Sequence, residues 1–227
     1  MARQLGLNLP GHTARGREDF LIAPSNALAV TLIEGWQDWP SGKLVLTGPE
    51  GSGKTHLVHV WADTSGAQIV AARDLGTADV PDLAQGPIAV ENVPDIAGDP
   101  EAQTALFHLH NLMRAEGHAL LLTGTGPVAS WGVMLPDLVS RLQGATEATL
   151  TAPDDALLAA VLVKLLADLQ LSPKPDLIPY LITRMDRSFA AARALVAALD
   201  AESLARKRPI TRALAADVLD NHDRTAR

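Results

Sequence analysis

The chain contains no cysteine. This excludes disulfides, thiolate metal centres and cysteine nucleophiles, and it fits a reducing compartment. Long apolar runs are also missing. The longest, residues 156–169, is interrupted by Lys164 and Asp168 and falls short of the roughly 18 residues a bilayer span needs. The start, Met1 to Gly6, has no apolar core of a secretory signal, so a cytoplasmic protein with no membrane association is expected. A basic surplus is absent as well: 19 Lys and Arg stand against 26 Asp and Glu, a net charge of -7. Proteins that bind duplex nucleic acid alone usually carry the opposite balance, so any contact with DNA is expected to be indirect. Aromatic residues are scarce at 4%. Trp36, Trp39, Trp61 and Trp131 have no basic patch around them and read as core or hinge packing, not base-stacking platforms. What remains is a 227-residue chain, 47% hydrophobic and 20% charged, long enough for one or two domains with a sizeable core.

Residues 1–17 carry Arg3, Arg15 and Arg17 and no acid, and Gly6, Pro10, Gly11 and Gly16 break any period. They predict an extended arm. Pro24, Ser25 and Asn26 precede the apolar stretch 27–33, predicting a capped helix. An alternation follows. Residues 43–47, 68–71, 87–90, 118–123 and 147–150 read as short strands, 68–71 and 87–90 apolar and 118–123 buried. Residues 54–63 and 101–116 read as helices, the second with Leu106, Leu109, Leu112 and Met113 at helical spacing. Strands alternating with helices predict a parallel sheet covered on both faces. After Thr151 only helical patterns occur: from Asp154 to about Leu171, 177–183, 188–205 and 211–219. The expected class is therefore α/β, a parallel-sheet domain over residues 18–151 followed by an all-α domain over residues 152–227.

The most specific signal is Gly48-Pro49-Glu50-Gly51-Ser52-Gly53-Lys54-Thr55, a complete G-x-x-x-x-G-K-[ST] loop between a predicted strand and a predicted helix. Gly48 and Gly53 allow a backbone that wraps phosphate with its N–H groups turned inward. Lys54 brings a charge to the β- and γ-phosphates, Thr55 a hydroxyl to Mg²⁺, and the following helix, with His56 in its first turn, points its positive end at the same anion. The expected cofactors are ADP or ATP and Mg²⁺. An acidic residue at a neighbouring strand end should hold Mg²⁺ through water, and Glu91 after Ile88-Ala89-Val90 supplies it. A second carboxylate to orient attacking water belongs at the next position, which is Asn92; Asp95 lies beyond Pro94. Binding with weak or no turnover is therefore expected.

Beyond the loop, an ordered series of segments resembles a known family. Residues 19–29, reading Asp19-Phe20-Leu21-Ile22-Ala23-Pro24-Ser25-Asn26, then Ala27 to Ala29, look like the opening of the AAA+ domain of the bacterial initiator DnaA. Leu121-Leu122-Thr123 with Pro127 and Trp131, Leu135 to Leu142, and Lys207-Arg208-Pro209-Ile210-Thr211 follow in that family's order. The resemblance covers roughly residues 17–220 and implies an AAA+ fold whose C-terminal helices form a lid. DnaA's DNA-reading domain is not expected after Arg227, so the resemblance extends to the Hda group of DnaA homologues. That group acts with the sliding clamp to make DnaA hydrolyse its ATP. In residues 1–17, Gln4-Leu5-Gly6-Leu7-Asn8-Leu9-Pro10 resembles its clamp-binding peptide. An extended arm puts Leu5, Leu7 and Leu9 on one face for an apolar groove, with Gln4 bonding at its edge. The alternative is that these leucines pack on the chain's own core.

The same resemblance makes Arg141, in Ser140-Arg141-Leu142, the arginine finger, which neutralises charge on a γ-phosphate across a subunit interface. The plain alternative is a solvated cation at a helix end. Arg187 and, less well matched, Arg193 are the lid arginines expected near the protein's own nucleotide. Thr123 is the candidate polar sensor, with Gly124 where the family more often has a larger polar residue and Thr125 as the alternative. His56 and His59 lack the further ligands a metal site needs. Two functions remain open: a clamp-tethered regulator of DnaA, or a DnaA-related recruitment scaffold with nucleotide as a structural ligand only.

Overall fold

The computed structural model describes residues 21–225. The arm, with Gln4, Leu5, Leu7, Leu9 and Pro10, lies outside them. Five strands form one parallel sheet: β1 (Lys43–Thr47), β2 (Gln68–Ala71), β3 (Ile88–Glu91), β4 (Leu120–Gly124) and β5 (Thr146–Thr149), in the order β2-β3-β4-β1-β5. β1 pairs with β4 through Leu46 opposite Thr123, and with β5 through Thr47 opposite Thr149. All five residues of β1 are buried, as expected of a strand covered on both faces.

The period of two divides the core. Leu44, Leu46, Ala89, Leu121 and Ala148 face α1 (Ala27–Glu34) and α2 (Lys54–Ser65), with Trp39 and Trp61. Those two indoles stack at 5.4 Å, and Trp36 meets Trp61 edge-on at 6.3 Å. Val45, Val90, Leu120 and Leu122 face the other way. They meet α4 (Pro100–Glu116), α5 (Pro136–Gln143) and Trp131. The four tryptophans are packing residues, as their sequence setting suggested. A third core belongs to α6 (Asp155–Asp168), α7 (Leu177–Ile182), α8 (Phe189–Arg206) and α9 (Arg212–Thr225), built on Leu162, Leu166, Leu181, Leu195, Val196 and Leu199.

Helix ends follow their capping chemistry. Asp99, Asp154 and Ser188 each accept the backbone N–H three residues on, starting α4, α6 and α8. The predicted Asn26 cap is a correction. Asn26 Oδ1 accepts from Ala23 N–H and its amide donates to Leu21 O, so this buried side chain closes the preceding turn and does not cap α1. A second correction is α6, which ends at Asp168 because Gln170 takes a left-handed conformation (φ 58°). α3 (Val80–Leu83), capped by Asp79, was too short for any periodicity to announce.

Candidate nucleotide site

The loop 48–55 emerges from the carboxyl end of β1 and opens α2. Gly53 holds φ 98° directly before the helix, and Gly51 holds φ 71°, left-handed values a Cβ would strain. Lys54 is buried, and its Nζ donates to Gly48 O and Pro49 O at 2.8 Å each. Burial lowers its pKa, while the Glu50 and Glu91 carboxylates raise it. Ser52 Oγ is buried in the loop with no hydrogen-bond partner, and Thr55 is exposed at the first turn of α2. An orphaned hydroxyl, a cation held only by loop carbonyls and a helix N-terminus suit a polyphosphate. Among the described residues no group of three or more His, Asp or Glu could hold a metal ion. A magnesium ion here would depend on phosphate oxygens and water, with Thr55 and Glu91 the protein groups to hold it. His56 is half-buried in the same turn of α2.

Glu91 ends β3 as predicted and is half-buried. Asn92 is exposed, in a left-handed conformation (φ 57°), and its backbone N–H donates to Thr123 Oγ1 at 3.1 Å. Thr123 is therefore at the strand edge between β1 and β3, where a sensor was expected, with its hydroxyl engaged by backbone. Asp95 is exposed in a short turn beyond Pro94. Gly124 also has a packing reason. A Cβ there would lie 2.4 Å from the Trp131 ring and 2.9 Å from Pro94 Cδ. Gly124→Ala is expected to destabilise the protein by roughly 1–3 kcal/mol through overpacking, measured by denaturant melts. An unchanged midpoint would contradict this.

The lid reaches the loop through residues that sequence reasoning passed over. Phe189 N–H donates to Gly51 O at 3.0 Å. A Cβ on Gly51 would stand 2.5 Å from Ser188 Cβ, and one on Gly53 would stand 3.1 Å from the Phe189 ring. Arg187, one residue before this contact, forms an exposed ion pair with Asp155 at 2.7 Å; Arg193 is exposed further along α8. Arg187 thus sits beside the loop but bonded within the lid.

Arg141 lies at the other end of the sheet. It is in the last turn of α5, and its carbonyl accepts a 2.7 Å bond from Nζ of Lys43, the first residue of β1. Lys43 Nζ also lies 3.1 Å from His110 Nε2. Both side chains are 6% exposed. Nothing in the sequence reading marked this pair, although His110 falls on the apolar stripe of Leu106, Leu109 and Met113. Burial, and next the Lys43 charge, push His110 down to about 4 from 6.5. A base depressed in the folded state takes its proton more readily when unfolded. Stability is therefore lost as pH falls from about 6.5 to about 4, by on the order of 3 kcal/mol from this group. Melts of His110→Gln across that range are expected to show a shallower loss than wild type; parallel curves would contradict it.

No family model matches the chain. Solved structures do. Domain III of the Thermotoga maritima replication initiation protein DnaA superposes with a TM-score of 0.81 at 17% identity, over 94% of this chain and 98% of that one. The fold is that of a DnaA-like AAA+ P-loop domain. A replication initiator DnaA bound to AMPPCP and single-stranded DNA matches with a TM-score of 0.67 at 21% identity, over 84% of this chain and 66% of that one. The Thermotoga maritima RuvB Holliday junction branch migration motor matches at 0.64 and 15% identity, over 86% of this chain and 65% of that one. The AAA+ arrangement expected from the sequence, sheet domain and helical lid, is thus observed. The chain spans about two thirds of the longer DnaA and RuvB chains it matches.

Proposed function

We propose that the chain is a nucleotide-binding AAA+ regulator of replication initiation similar to Hda. In this reading ADP or ATP with Mg²⁺ occupies the Gly48–Thr55 loop, where the bound nucleotide orders the lid. Gln4, Leu5, Leu7, Leu9 and Pro10 dock on the sliding clamp, and Arg141 is offered to ATP held by DnaA. The observation that carries it is the separation of Arg141 from the chain's own loop. Arg141 is tied to Lys43 at the start of β1, whereas the phosphate loop leaves its end at Thr47, about 13 Å away at 3.3 Å per residue. A guanidinium at that end serves a nucleotide on another molecule. The likeness to a DnaA bound to AMPPCP supports a nucleoside triphosphate as ligand. Asn92, at the expected second-carboxylate position and bonded through its N–H to Thr123, favours slow turnover by the chain itself.

The test is hydrolysis of DnaA-bound ATP with and without this protein and DNA-loaded clamp. Acceleration is expected only when both are present. No acceleration would favour the scaffold reading, in which nucleotide is a structural ligand. Nucleotide binding is tested separately. Lys54→Ala removes a charge-assisted phosphate contact worth roughly 1.5–3 kcal/mol, so titration of ATP is expected to show affinity reduced about 10- to 100-fold. Equal affinities would remove the loop from the site.

A further inference from the structure

Lys43 and His110 lie outside the nucleotide site, and the proposed function uses Lys43 only to locate Arg141 and gives neither side chain a task. Lys43 is a buried cation, and its polar contacts are the Arg141 carbonyl and the His110 imidazole. Since an ammonium only donates, Nε2 of His110 is the acceptor. Among the described residues no carboxylate forms an ion pair with Lys43, Arg114 or Arg141. Burial is the first cause that lowers the Lys43 pKa, and the charges of Arg141 and Arg114 lower it further. A buried charge without a counterion costs stability that an apolar residue would not. What Lys43 provides in return is geometry. At the end of α5, Ser140 O accepts Gly144 N–H and Leu142 O accepts Ala145 N–H. The Arg141 carbonyl between them takes Lys43 Nζ as a side-chain donor. Nε of Arg141 itself is buried with no partner.

We infer that Lys43, seated on His110, is a positioning residue for Arg141. Its bond to the Arg141 carbonyl fixes the last turn of α5, and its uncompensated charge keeps that corner of the molecule cationic, ready for an anion brought by a partner. Arg114, one turn beyond His110 on α4 and exposed, adds to the same field. The inference rests on the finger reading of Arg141 for its consequence in catalysis, but not for its geometry.

Two measurements separate these. In the isolated nucleotide-loaded protein, hydrogen exchange at Arg141 Nε–Hε is followed by NMR for wild type, Lys43→Met, His110→Leu and His110→Gln. Lys43→Met and His110→Leu are expected to exchange at least tenfold faster. His110→Gln, which keeps an acceptor, is expected to stay within a few-fold of wild type. The same variants are then assayed for stimulated hydrolysis of DnaA-bound ATP on clamp-loaded DNA. Lys43→Met and His110→Leu are expected to lose tenfold or more of the rate at saturation, with the half-saturating concentration within twofold of wild type and the rate restored in His110→Gln. Unchanged exchange in folded Lys43→Met and His110→Leu overturns the positioning role. So does full stimulation by both when Arg141→Ala has lost it. If Arg141→Ala keeps full stimulation, the finger reading fails instead, and the exchange result alone decides whether Lys43 positions Arg141.

Discussion

Arg141→Ala is expected to lower stimulated hydrolysis of DnaA-bound ATP by roughly 10³-fold while fold, nucleotide binding and clamp binding stay intact. The expectation comes from where the residue sits and what its atoms do. Arg141 is half-buried, and its Nε has no hydrogen-bond partner; truncation therefore breaks no bond from that atom. The bond that secures this end of α5 runs from Lys43 to the backbone carbonyl, which alanine retains. Removing a guanidinium that repels Lys43 leaves the thermal midpoint unchanged or slightly raised. A finger acts on charge that develops in the transition state, so the loss should fall on rate and not on affinity. A factor of 10³ corresponds to about 4 kcal/mol of transition-state stabilisation. Lysine should rescue poorly, since an ammonium cannot reproduce the planar fork of donors. The control is association with ATP-bound DnaA on clamp-loaded DNA. Full stimulation by Arg141→Ala would reduce the residue to a helix-end charge and advance the scaffold reading. Loss of association would make it an interface anchor.

Changing Leu7 and Leu9 together to alanine is expected to weaken clamp binding about 100-fold, and deleting residues 1–10 to remove it. Between Gln4 and Pro10, Leu5, Leu7 and Leu9 alternate in the sequence, so an extended arm would place the three leucines on one face. Each buried leucine contributes roughly 1.5–3 kcal/mol, less the cost of ordering the arm. Truncating two of them removes about 3 kcal/mol, or two decades in affinity. An arm that serves the clamp and not the chain's own core leaves the melting midpoint of the deletion variant equal to that of the full chain. Surface plasmon resonance on immobilised clamp measures the first effect and calorimetry the second. Undiminished binding by the truncated protein would place the clamp contact elsewhere. A lowered midpoint would mean that the leucines pack on the chain's own core.

The sequence by itself determined the elements whose signal is contiguous. Loop 48–55 is legible because its eight neighbouring residues must each do a local job on one phosphate chain. β1 and β2 were read to the residue, and β3 within one residue at each end, because each is a short apolar run; β1 and β3 are buried inside the sheet, whereas edge strand β2 is only half-buried. Glu91 and Thr123 were legible as strand ends, which in a parallel sheet share the edge where the loop lies. Tertiary structure alone decided which distant groups meet. Lys43 finds His110 and the Arg141 carbonyl across 67 and 98 residues of chain. The strand order β2-β3-β4-β1-β5 and the packing of α4 and α5 on one face impose that meeting, and no local period encodes it. Ser188 and Phe189 touch Gly51 and Gly53 only because the lid folds back over the loop. The small residue at Gly124 is explained by a Trp131 ring that arrives from a later turn. Even the local Asn26 went against its sequence signal. Its short amide can bond the chain on either side, and it closed the turn behind it. Periodicity reports that a residue is buried. The partner it is buried against depends on how whole elements stack.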